Sequence, residues 1–137
     1  MGLVWQHIRL ANAARADLEE LDAKALVDSG AIDLCIPRHV ANQLKLAKAE
    51  EREVTVADGR REIVDYVGPV RVEVFGRSAF TGALVMGDQV LLGAIPMEAM
   101  DVLIDARRQQ LIPNPENPNI PGAMAVGLSS VRSPKDA

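Results

Sequence analysis

Apolar residues in this chain recur in short runs and period-two alternations, and helical spacing is rare. Residues 4–10 read as a strand, and a polar connection rich in Ala, Asp and Glu carries the chain to about Glu20. A second strand covers 21–27 and ends in the apolar run Ala25-Leu26-Val27; a third, 32–36, stops at Pro37. Val54-Thr55-Val56, Asp58-Gly59 and Ile63-Val64 form a hairpin signal, because Asp-Gly is a favoured tight-turn pair. Gly68-Pro69 is expected to interrupt the return strand. Beyond it, Val70, Val72 and Val74 alternate with Arg71 and Glu73, the pattern of a half-buried strand. Gly76-Arg77 then turns the chain into a strand over 78–86.

Two short helices are expected. Residues 37–46 open on proline, which suits a first helical turn, and place Val40 and Leu44 on one face. Residues 96–100 make a shorter one. A buried strand at 102–104, a turn at 105–108 and a last strand at 109–112 complete the pattern. The predicted class is all-β, a sheet closed or folded over on itself with one or two short helices, in a single domain spanning 1–112. Five of the eight prolines lie at or beyond Pro113, so 113–137 is expected to be a flexible, Pro-rich tail.

Composition narrows the chemistry. The 137 residues carry a net charge of −4 and only 3% aromatics, so neither a basic footprint nor a stacking platform for nucleic acid is present. No apolar run approaches the roughly 18 residues that span a bilayer. A lone cysteine, Cys35, sits between Leu34 and Ile36 and reads as a buried filler; it implies a reducing compartment, and the cytoplasm is the expected location. His7 and His39 are not at metal-ligand spacing, and no phosphate-cradling glycine loop or serine-nucleophile elbow occurs, so no metal or organic cofactor is expected.

What remains is Ala25-Leu26-Val27-Asp28-Ser29-Gly30-Ala31. The apolar strand would draw Asp28 toward an apolar site, where an ionised carboxylate is costly unless hydrogen-bonded or paired. The ordinary alternative is a polar Asp-Ser-Gly turn leaving the core. An Asp-(Ser/Thr)-Gly triplet arises by chance in roughly one chain in twenty of this length, so its setting decides.

In that setting the chain resembles the retropepsin-like aspartic proteases. Residues 25–31 look like that family's active-site loop, the hairpin at Ala57-Asp58-Gly59-Arg60 stands where the family has its flap, and Val90-Leu91-Leu92-Gly93 looks like the apolar-apolar-Gly element that threads past the loop. The wording at Asp58-Gly59-Arg60 and across 91–100 is closest to the bacterial branch, and the match runs in order over about 4–112. The resemblance implies the family's closed β-barrel and a homodimeric aspartic endopeptidase acting on an extended peptide. Because one Asp-(Ser/Thr)-Gly triplet is present, the second carboxylate would come from another copy.

The implied roles are acid/base chemistry at Asp28, a hydroxyl bonding across the axis at Ser29, and close backbone approach at Gly30. Ala31, Asp33, Ala57, Asp58 and Gly59 would touch substrate, and Leu92 and Gly93 would pack beneath the loop. Asp33 can instead sit on the solvent face of its strand, and Asp58-Gly59 can be an ordinary turn. Many viral members place an Asp directly after the loop and an Arg after the later glycine as an ion pair; here Ile32 and Ala94 stand there, so both charges are absent together. The competing expectation is a peptide-binding or dimerisation module of the same fold with little hydrolysis.

Overall fold

A computed structural model describes residues 2–123 of the chain. Nine strands and two helices follow in the order β1 (Val4–Asn12), β2 (Leu21–Val27), β3 (Leu34–Ile36), α1 (Arg38–Gln43), β4 (Ala47–Thr55), β5 (Arg61–Val74), β6 (Arg77–Val85), β7 (Val90–Leu92), α2 (Ala94–Met100), β8 (Val102–Asp105) and β9 (Gln110–Pro113). The main sheet runs β1-β2-β7-β3-β6-β5-β4, and β1 also pairs with β5. That extra pairing closes six strands into a barrel and leaves β4 outside, attached through β5 alone. The expected all-β closed fold is the one adopted.

Alternation explains the closure. Ile8 and Leu10 on β1, Ala25 and Val27 on β2, Val70 and Val72 on β5 and Ala83 on β6 point inward and are buried, with Leu34, Ile36, Leu92 and Met100 completing the core. Asn12, at the end of β1, is buried but satisfied: its Nδ2 donates to the carbonyls of Leu44 and Lys45 at 2.9 and 3.2 Å, and its Oδ1 accepts from Ala14 N at 2.9 Å. Those bonds explain why α1 is shorter than the predicted 37–46. Asn12 takes the Leu44 and Lys45 carbonyls just past the helix end, and Lys45 turns left-handed at φ 51° to release the chain into β4.

Two strand expectations are corrected. Gly68-Pro69, a cis peptide, does not interrupt β5; it lies in a bulge of the ladder with β6, between Val67 and Val70, where a residue without an N–H is tolerated. The hairpin arm is also longer than Val54–Val56. β4 begins at Ala47 but is charged on both faces and almost wholly exposed, so it carries no apolar period. Cross-ribbon contacts hold it: Lys48 Nζ to Asp65 at 3.4 Å, Arg61 to Glu53 at 3.4 Å, and the Arg52 guanidinium over the Tyr66 ring at 3.7 Å. Its Lys and Glu side chains also guard a free sheet edge against pairing with other chains.

After β9 the chain is held by a clasp at the C-terminal end of α2. Asp101, left-handed at φ 56°, accepts hydrogen bonds from Asn114 Nδ2 (2.9 Å), Asn117 Nδ2 (2.8 Å) and Gly122 N (2.7 Å). Arg77 is buried behind it and donates to the backbone carbonyls of Asp101 and Asn117. The remainder of the expected tail, 124–137, lies outside the described residues. The Asn114 side chain, then the Gly122 amide, hold the Asp101 carboxyl below the usual carboxylate range. A depressed folded pKa makes the clasp whole above about pH 4 and weakens it as pH falls through the folded value. Protection of the amides over 114–122, taken relative to their intrinsic exchange rates at each pH, should therefore hold from pH 5 to 8 and fall in acid; in Asp101→Asn it should be low throughout while the barrel amides stay protected. Equal protection in the variant would show that the carboxylate does not hold the segment.

Candidate active site

The loop between β2 and β3 straddles the end of β7. β2 pairs in parallel with β7, with Val27 opposite Leu92, and β3 pairs antiparallel to it, with Cys35 opposite Leu91. The Asp28 N–H extends the first ladder by donating to Leu92 O at 3.0 Å. Within the loop, Ala31 N bonds Asp28 O at 3.1 Å, and Gly30 N donates to the Asp28 carboxylate at 2.9 Å. A Cβ built at Gly30 would stand 3.1 Å from that same oxygen, so the glycine leaves the carboxylate room beside the backbone.

Gly93 is where strand, loop and helix meet. A Cβ there would lie 2.3 Å from Asp33 O and 2.8 Å from both Ala31 O and the Ile32 carbonyl carbon. Its backbone is extended, at φ −92°, so the requirement is space and not conformation. The loop in turn caps α2: Ala94 N donates to Ala31 O at 2.9 Å and Ile95 N to Ile32 O at 2.8 Å, satisfying two first-turn donors that have no partner inside the helix. Residues 28–33 are thereby fixed by β7 below and α2 beside them, with no side-chain cap on the helix.

The expectation that Asp28 is drawn into an apolar site is corrected for the single chain. Asp28, Ser29 and Gly30 are exposed, because the chain leaves the barrel at the residue after Val27; Ala31 and Asp33 are half-buried. The large side chains of Ile32 and Ile95, joined through their backbones, are 65% and 47% exposed. Among the described residues, nothing covers this apolar pair or the carboxylate. Cys35 is the opposite case: burial, then the nearby Asp33 and Asp28 charges, push its thiol up to about 11, which leaves it a packing residue with little thiolate.

Ala57, Asp58 and Gly59 are exposed at the tip of the β4–β5 ribbon. The turn is not the expected two-residue Asp-Gly type. Val56 N bonds Arg60 O and Gly59 N bonds Val56 O, both at 2.9 Å, giving a three-residue loop with Gly59 left-handed at φ 89°. Asp58 ties the tip together, accepting from Arg60 N at 3.0 Å and from Arg60 Nε at 2.6 Å, and those bonds hold its carboxyl below the usual range. The tip's hydrogen bonds stay within the ribbon, so the structure gathers 28–33 with Leu92 and Gly93 but keeps the tip separate.

Sequence reasoning missed one wall of the site. A groove of about 500 Å³ runs beside Asp28 and Ser29, lined by Leu3, Val4, Leu26 and, from the β8–β9 hairpin, Ile104 and Gln109. The start of the described chain meets the β8–β9 hairpin there, and Gly2 packs against the Gln109 side chain. The only signal was the exposed Leu3 ahead of the first strand.

No family model and no curated protein matches this sequence. Among solved structures, the chain is similar to simian foamy virus (mac) protease, solved in solution, at 19% identity over 67% of this chain and 91% of that one, with a TM-score of 0.46. It is also similar to EIAV protease complexed with the inhibitor HBY-793, at 18% identity over 67% and 82%, with a TM-score of 0.49. Likenesses of this degree leave the chemistry to be argued from the residues themselves.

Proposed function

We propose that this chain is an aspartic endopeptidase of the retropepsin-like type, bacterial branch, whose active centre forms when two copies bring their Asp28 carboxylates together. The observation that carries the reading is the loop itself. It presents an exposed carboxylate held by the Gly30 amide on a segment clamped between β7 and α2, beside a mostly apolar groove. One carboxylate is half of a peptide-hydrolysing pair. Hydrolysis without a metal needs one carboxylate to take a proton from water and a second, protonated, to donate toward the carbonyl oxygen. As the tetrahedral intermediate collapses, the acid and base exchange roles and a proton passes to the leaving nitrogen.

A second copy supplies the missing half and also covers Ile32 and Ile95, which are costly to leave in water. Two carboxylates at close range cannot both ionise readily, so the pair would share one proton and work best below neutral pH. The Ala57–Gly59 tip would close over an extended substrate and exclude water, and apolar pockets would select side chains. Cys35, buried and reduced, suits the cytoplasm.

Digestion of a peptide library across pH 3 to 8 tests this reading. Cleavage favouring apolar flanking residues, strongest in acid and blocked by a peptide mimic bearing a central hydroxyl, is expected. A protein that binds such peptides, gains a partner copy and cuts none of them is the binding module instead.

A further inference from the structure

We propose that Tyr66 is a positioning residue for the β4–β5 ribbon: its ring, set against Gly82 and beneath Arg52, fixes how closely the ribbon stands over an apolar strip that leads to Asp28. This rests on the endopeptidase reading above and deepens it. Register supplies the first argument. Directly opposed residues of neighbouring strands share one face of a sheet. Tyr66 opposes Leu84, Leu84 opposes Cys35, Cys35 opposes Leu91, and Leu91 opposes Leu26. That line crosses from β5 through β6, β3 and β7 to β2, four strand spacings or about 19 Å. It ends two residues before Asp28. Val64, two positions from Tyr66 along β5, continues the same face onto the ribbon, where Arg52 opposes it.

The second argument is the place where the ribbon leaves the barrel. Among the described residues, β5 pairs with β6 from Tyr66 onward, and residues 61–65 pair with β4 alone. Both arms are irregular near that level, β4 between Lys48 and Glu50 and β5 between Val67 and Val70. A bulge bends its strand locally, so the direction of the ribbon is set at this root. The Tyr66 ring fastens the bend. A Cβ built at Gly82 would overlap the phenol end of the ring, so the bare strand makes its seat, and the Arg52 guanidinium lies over the ring at 3.7 Å. Asp65, on the opposite face of β5, takes Arg38 at 2.7 Å and Lys48 at 3.4 Å, which ties the same root to α1. A groove of about 440 Å³ beside the ring, lined by Ala47, Ala49, Pro69 and Phe80, gives a displaced ring room to leave its seat. A methyl group at position 82 therefore moves the ring and leaves the barrel folded.

The test compares Gly82→Ala, Tyr66→Ala, their double variant and Tyr66→Phe in the full chain. Amide spectra of the two alanine variants should shift over residues 50–64 and match the native protein over β1 and β2. With a peptide chosen from the library digestion, each should raise KM several-fold with kcat little changed, because the ribbon holds substrate less well. The double variant should be no worse than either single one, since both remove the same contact. Tyr66→Phe keeps the ring and should restore native values. Unmoved ribbon amides in Gly82→Ala, or effects of the two alanine changes that simply add, would overturn the proposal. A fall in active protein with KM unchanged would do the same, because it marks a merely structural role. The spectra need no turnover, so ribbon shifts in a protein that cuts nothing would sink the protease reading and leave the clamp standing.

Discussion

Replacing Asp28 by asparagine is expected to abolish peptide hydrolysis while leaving the barrel folded. The side chain is exposed, and its one hydrogen bond among the described residues is accepted from Gly30 N by Oδ1, which an asparagine oxygen can still accept. A surface substitution of equal size that keeps its bond changes stability by about 0.5 kcal/mol or less. Chemistry is another matter. In a homodimer the change removes both carboxylates, leaving no group to take the proton from water and none to donate to the carbonyl oxygen. General acid/base catalysis contributes about 10²–10⁴-fold, so a fall of at least about a thousandfold is expected. Thermal melting beside a peptide digestion checks both halves: an unchanged melt with lost cleavage supports the role, and a variant that still cuts removes Asp28 from the mechanism.

Gly93→Val should be the most damaging single change outside the carboxylate, for a reason visible in distances. The first added carbon already overlaps three backbone atoms of the loop, the nearest at 2.3 Å, and backbone cannot swing aside as a side-chain tip can. Overpacking of a tight site costs typically 1–3 kcal/mol, and here about 3 kcal/mol or more is expected. The strain falls on residues 31–33, and the Ala31 and Ile32 carbonyls cap α2, so the Asp28 loop should shift even in molecules that remain folded. Gly59→Ala is the control. It too is a glycine substitution, but at φ 89° with nothing within 4 Å of the new carbon, so it should cost only about 1 kcal/mol of local strain. Denaturant unfolding of the two variants would separate them, and equal losses would show that the space beneath the loop is not critical.

The parts of this molecule legible in its sequence are those where one short segment carries its own signal. β2 ends at Val27 as read, because an apolar run followed by Asp-Ser-Gly is both a strand and its exit. Gly93 was legible through the resemblance, whose apolar-apolar-Gly element implies packing beneath the loop. The long arm of β4 was not, since a ribbon outside the barrel needs no apolar face and is held by ion pairs that leave no period. The clasp joins Arg77, Asp101 and Asn117, residues 16 to 40 positions apart, and no local pattern announces such a meeting. The groove was hidden for the same reason, because its walls come from opposite ends of the chain. The exposure of Asp28 was misread because an apolar strand argues for burial of its neighbours, yet the chain turns outward at that residue.

One experiment tests the proposed sharing of the centre directly. Wild type and Asp28→Asn are mixed in varying proportion, allowed to exchange subunits, and assayed for peptide cleavage. Two carboxylates from different copies predict that mixed pairs are dead, so activity follows the square of the wild-type fraction and an equal mixture keeps about a quarter. Activity falling in simple proportion, with about half remaining, would mean that each chain cuts on its own.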